Sequence, residues 1–192
     1  MLKITSLDKV LFDPVSYFHH TWFHLPARFN RPSSKSIWND LLIEQYELEV
    51  KRPVIKNTSV GEKWLTHWFY LPQIAFIMAC QRHRTILLKK GMLLRLPLWV
   101  QQFAKLEIVE ALPYRFNQKI NFLQLLAYGA KELSLWDKEL PGAISQRMPF
   151  LFPFSMNAVL DFDRKISPNL LFINLAIQHV KKNPQSLAFI GA

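Results

Sequence analysis

The chain has 192 residues, half of them apolar and 14% aromatic, which is enough to bury a sizeable core and too apolar for a disordered chain. Its formal net charge of +10 favours acidic partners: nucleic acid, anionic lipid or an acidic protein face. A single cysteine, Cys80, excludes an intramolecular disulfide and suits a reducing cytoplasm.

At the N-terminus, Asp8 and Lys9 break any apolar run and no small-residue cleavage site follows, so a secretory signal is not expected. Asp13-Pro14 reads as a helix start, with Asp13 as N-cap and proline at the first helical position. His19, His20 and His24 cluster next. His20 and His24 have helical i, i+4 spacing, but only Asp13 lies nearby to complete a metal site, so none is expected. Residues 30–35 (NRPSSK) read as a loop, and Ser36 to Glu49 as a helix carrying Ile37, Leu41, Ile43 and Leu48. Residues 51–60 (KRPVIKNTSV) form a longer loop. Only Glu49–Val54 and Ile108–Leu112 could be short extended pieces.

The middle of the chain reads as helix, break, helix. Trp64, Leu65 and Trp68 fall at apolar-face spacing over 62–70, and Leu71-Pro72 stops that helix and seeds the next, over 73–82. Tyr70 to Cys80 is the most apolar segment, roughly half the ~20 residues that a membrane-spanning helix needs, and Pro72 interrupts it. Helix continues over 85–90 to a cap at Gly91, and Leu96-Pro97 seeds a short helix through Trp99 and Phe103. A long helix is predicted over 118–138, with Phe122, Leu123, Leu126, Ala130, Leu133 and Trp136 as its apolar positions. Gly129 inside it marks either a weak point or a close packing point. Pro141 opens a shorter helical stretch toward Met148. A last helix is expected after Ser167 as N-cap and Pro168, with Leu171, Ile173, Leu175, Ile177 and Val180 apolar, ending at Asn183-Pro184. Residues 187–192 read as a loose tail. The sum is an all-α chain: a single compact orthogonal helical domain over 1–192, with short proline-marked helices and two longer C-terminal ones.

Catalytic signatures do not emerge. GxSxG, HExxH, Walker and GxGxxG patterns are missing, and five glycines could hardly build a phosphate cradle. Cys80 follows Phe76-Ile77-Met78-Ala79 and reads as a small core residue, and Asp161 with Asp163 is too common a spacing to signal acid–base work. No enzyme activity, cofactor or metal is therefore expected. The conspicuous feature is charge. Between Glu62 and Glu107 there is no acid, whereas Lys63, Arg82, Arg84, Lys89, Lys90, Arg95 and Lys105 lie there. Such a run is either a solvated face with cations at helix C-termini or a partner-binding field.

Several segments together resemble a known family. Leu11-Phe12-Asp13-Pro14-Val15-Ser16-Tyr17 is similar to the (I/L)FDPxxY opening of the OrgA/MxiK family, also called SctK, the accessory proteins of the type III secretion sorting platform. The likeness continues through Trp64-Leu65, Trp68 and Leu71-Pro72-Gln73-Ile74-Ala75-Phe76, and resumes at Gly91, Leu94, Leu96-Pro97 and Trp99-Val100. Leu140-Pro141, Gln146-Arg147, Pro149, Leu151-Phe152-Pro153, Ala176 and Lys182-Asn183-Pro184 complete it, so that residues 10–184 are covered in order.

The resemblance implies a helical, non-enzymatic adaptor, cytoplasmic and peripheral at the inner-membrane secretion apparatus. Its implied partners are the cytoplasmic domain of the inner-membrane ring protein (SctD type) and the main platform protein (SctQ type), and through the latter the ATPase regulator and ATPase. Neither nucleic acid nor direct membrane insertion belongs to that role. The family motifs are themselves expected to pack the core (Tyr17, Trp64, Trp68 and Trp99), so a contact surface is sought elsewhere, in the basic run Arg82, Arg84, Lys89, Lys90 and Arg95. The alternative reading is a basic nucleic-acid-binding helical protein, in which the interleaved basic and aromatic residues contact phosphates and bases.

Overall fold

The computed structural model describes residues 6–55, 59–113, 120–158 and 167–184. Asp161, Asp163 and the 187–192 tail lie outside them. Among the described residues every regular element is helical: α1 (Ser6–Phe12), α2 (Pro32–Gln45), α3 (Val60–Thr66), α4 (Leu71–Arg82), α5 (Arg84–Lys89), α6 (Leu98–Ala104), α7 (Phe122–Ser134), α8 (Gly142–Ser145) and α9 (Leu170–Lys182), with short 3-10 turns in several of the connections. The mainly helical class read from the sequence is what the chain adopts. The helices form two compact units, Met1–Phe69 with Trp136–Asn157, and Tyr70–Leu135 with Ala158–Ala192.

The first unit is held by aromatic stacking and by hydrogen bonds from enclosed side chains. Phe18 stacks on Phe150 at 4.3 Å between ring centroids, and Trp22 and Tyr46 meet Phe150 edge-on at 4.9 and 4.8 Å. Asp13 precedes a 3-10 turn (Pro14–Ser16) but makes no side-chain cap bond there. Its Oδ1 instead accepts from the Asn39 side chain at 3.0 Å, while Asn39 Oδ1 accepts from Val15 N at 2.9 Å. Tyr17 donates its hydroxyl to the Val10 carbonyl at 3.1 Å and meets Trp68 edge-on. Arg147 is fully buried, and its guanidinium donates to the carbonyls of Ala143 (2.7 Å) and Leu11 (3.0 Å).

Helix α2 departs from expectation at its start and in its orientation. It begins at Pro32, inside the predicted 30–35 loop, because proline at the first position fits a helix N-terminus. Its inward line carries Asn39 and Leu42, whereas Ile37 and Leu41 are exposed. Helix α1 had no counterpart in the sequence reading.

In the second unit α4 is central. Almost every residue from Leu71 to Gln81 is buried, and α6, α7 and α9 all pack on it; a helix apolar all round is a buried one. Its two buried glutamines reach outward for acceptors. Gln73 Nε2 donates to the Asn183 carbonyl at 2.8 Å, and Gln81 Nε2 donates to the carbonyls of Leu106 and Val109. Gly129 of α7 is the close packing point: a Cβ there would overlap the backbone carbonyl of Ala75 in α4. The stacked rings of Phe103 and Phe172 and a His179 Nε2 donation to the Trp99 carbonyl (2.7 Å) join α6 to α9.

Two helix boundaries shift from those predicted. Helix α7 stops at Ser134, short of 138, and its start is fixed by a reciprocal capping box: Gln124 N donates to Asn121 Oδ1 (2.7 Å) and Asn121 N to Gln124 Oε1 (2.8 Å). Helix α9 is capped by Asn169, which accepts from Phe172 N, and not by Ser167. Its buried face is Phe172, Ile173, Ala176, Ile177 and Val180, leaving Leu171 exposed. Asn121→Ala removes the acceptor for Gln124 N and is expected to cost about 1 kcal/mol, read as a lower urea midpoint at unchanged slope.

Candidate protein-interaction surface

The basic run falls wholly in the second unit, and its members differ in what they do. At the end of α4, Arg82 forks onto Glu132 of α7, with Nη2 2.8 Å and Nε 3.1 Å from Oε1. The pair is enclosed, the side chains of Arg82 and Glu132 being 13% and 4% exposed, and the guanidinium also lies over the Phe172 ring at 5.4 Å. Burial pushes the Glu132 carboxyl above the usual carboxylate range, and the Arg82 hydrogen bond and charge pull it back. Arg84 turns back along the chain. Its Nη1 donates to the carbonyls of Val109 (2.9 Å) and Gln81 (3.2 Å), while Leu112 N donates to the Arg82 carbonyl (2.8 Å). These two arginines therefore fasten α4 to α7 and to the 106–112 segment.

Lys89, Lys90 and Arg95 are exposed. Gly91 has φ +65°, the left-handed value that ends α5, and the following 3-10 turn (Leu93–Arg95) packs back on α5. Gln101 Nε2 donates to the Leu96 carbonyl at 2.7 Å and to that of Leu94 at 3.5 Å, tying the corner to α6. Leu88, Leu94 and Leu98, interspersed with these cations along the chain, are exposed as well, a feature the sequence reading missed. Its signal was present: Leu98 lies off the Trp99, Val100 and Phe103 line that α6 buries.

Other candidates from the sequence resolve into structure. Cys80 is buried, and burial pushes its thiol far above the ordinary range. The His19 and His20 rings lie 4.2 Å apart, and His19 Nδ1 is hydrogen-bonded with the Thr21 hydroxyl at 3.0 Å. Among the described residues no three His, Cys, Asp or Glu side chains gather around a common point. One open cavity in the first unit, of about 260 Å³, is lined by Val54, Ile55, Ser59, Leu140 and Pro141, with Lys138 and Glu139 its ionisable neighbours. No described helix is long and apolar enough to cross a membrane.

A family model described as the bacterial type III secretion apparatus protein OrgA_MxiK matches residues 7–182. The chain belongs to this family. It is 29% identical over 181 residues to the oxygen-regulated invasion protein OrgA of Salmonella typhimurium, in strains 14028s, SL1344 and LT2, with 94% of this chain and 89% of OrgA covered. No solved structure matches it. As an OrgA_MxiK member it is a type III secretion apparatus protein, and the segments that carried the resemblance are chiefly core. Tyr17, Trp64, Trp68 and Trp99 are at most 7% exposed, and Arg147 is sealed. In this chain most of the OrgA_MxiK motif residues pack the fold, with Phe12, Gly91 and Leu94 among those left exposed.

Proposed function

We propose that this protein is a non-enzymatic adaptor of the type III secretion sorting platform, peripheral at the cytoplasmic face of the inner-membrane apparatus. It links the cytoplasmic domain of the SctD-type ring protein to the SctQ-type platform protein, and through the latter to the ATPase regulator and ATPase. The observation that carries this reading is the family match over 7–182. The basic run is one contact surface, with Lys89, Lys90 and Arg95 exposed and Arg82 and Arg84 holding α4 to α7 and to the 106–112 segment. Clustered cations steer an acidic partner and reject basic ones.

The test is co-purification of the tagged chain with each partner from a nuclease-treated extract. The wild type is expected to retain both. Lys89→Glu, Lys90→Glu and Arg95→Glu together should lower retention of one of them by about tenfold or more, with the helical circular-dichroism spectrum unchanged. Undiminished retention of both removes this surface from the proposal. Retention of neither by the wild type overturns the adaptor role, and complexes lost on nuclease treatment favour nucleic-acid binding.

A further inference from the structure

The exposed leucines of the 88–98 corner go beyond a purely electrostatic surface. Leu88, Leu94 and Leu98 are 55%, 73% and 68% exposed, whereas Ile86, Leu87, Leu93, Leu96 and Trp99 from the same stretch are buried. The core under this corner is therefore filled, and three large apolar side chains remain outside it. They alternate in sequence with Lys89, Lys90 and Arg95, in a part of the chain without acidic residues between Glu62 and Glu107. Gly91 and the Gln101 hydrogen bonds fold these residues into one short, pinned corner.

Apolar side chains flanked by cations call for a ligand that is apolar along one line and acidic beside it. We propose that this corner docks an acidic amphipathic helix from another protein of the secretion apparatus, the leucines taking its apolar stripe and the cations its flanking carboxylates. The inference rests on the adaptor reading and names the chemistry of the partner segment. A lipid surface fits less well. Interfacial binding uses a continuous amphipathic helix, and α5 spans six residues before the chain turns at Gly91. A second copy of this chain could offer the exposed Ile37, Asp40, Leu41 and Glu44 of α2, but such a head-to-tail contact builds a ring or a filament of copies and supplies only those four residues against three leucines and three cations.

The experiment places a photo-crosslinking amino acid at Leu94 or Leu98 of the full chain in secreting bacteria and sequences the captured peptide. A peptide from another apparatus protein, with Asp or Glu flanking aliphatic residues at helical spacing, is the expected result. Capture of a second copy, of phospholipid, of a basic segment, or of nothing while secretion proceeds overturns the proposal. In parallel, Leu94→Ser with Leu98→Ser, both at exposed positions and so expected to leave the fold intact, should weaken co-purification with the captured protein by about tenfold. If that pair leaves both co-purifications unchanged, the docking surface falls and the adaptor role stands.

Discussion

Alanine at Gly129 is expected to destabilise the protein by about 3 kcal/mol or more, although alanine is the better helix former. The added Cβ would meet main chain, the Ala75 carbonyl, and not a side chain that can rotate away. Helices α4 and α7 must then move apart, and α4 carries the packing of α6 and α9 as well. For a chain of this size the loss corresponds to a fall in Tm of about 10 °C, measurable by calorimetry. Gly61→Ala in α3 is the control. There the new Cβ would lie 3.6 Å from Ser59 Oγ and 3.7 Å from Pro141 Cδ, ordinary contact distances, so the substitution is expected to be neutral or slightly stabilising. Equal stability of Gly129→Ala and the wild type would show that the helices can separate at no cost.

The second large effect concerns Arg82. Replacing it with methionine leaves Glu132 enclosed without its counter-charge, and breaking a buried pair in this way costs about 3–5 kcal/mol. The penalty depends on pH in a definite direction. Burial holds the Glu132 carboxyl above its unfolded range, so the native state binds the proton more tightly. The group's stabilising contribution is full below the unfolded carboxylate range and is lost as pH rises through the raised native value. Without Arg82 that window extends to higher pH, because the interaction opposing the rise is gone. Arg82→Met should therefore be less destabilised in mildly acidic than in mildly alkaline buffer, and Glu132→Gln added to it should flatten the dependence. Arg82→Met with Glu132→Leu should recover much of the loss, since an apolar pair has no charge to desolvate. A pH-independent penalty in urea melts would contradict the assignment.

Proline junctions were the most legible part of the fold. Pro72 sets the start of α4 through its fixed φ and missing N–H, regardless of what surrounds it. Helix α2 was harder because its apolar residues occupy two adjacent lines, Ile37 with Leu41 and Trp38 with Leu42. The choice between them came from a partner distant in sequence: Asn39 faces inward to serve Asp13 and Val15. Helix α1, at seven residues with Asp8 and Lys9 inside it, is too short for periodicity to register. At the basic run the sequence counted cations without direction. Arg82 is a structural residue because of Glu132, an acid on the apolar face of α7, and that displaced carboxylate was the available clue. The exposed leucines escaped because their buried neighbours are of the same residue type.

The division of the chain has a consequence for how the protein is made. The first 69 residues share their unit with 136–157, and Arg147 reaches across 136 positions to the Leu11 carbonyl. A ribosome therefore releases α1, α2 and α3 well before the segment that completes them has been translated. Phe18, Trp22 and Tyr46 must wait for Phe150, the ring all three share. During that interval the nascent amino-terminal third carries unburied aromatic rings, a hazard for aggregation and a natural client for chaperones. A product that terminates ahead of Trp136 has no means of finishing this half, so genetic truncation from the carboxyl end dismantles the beginning of the protein.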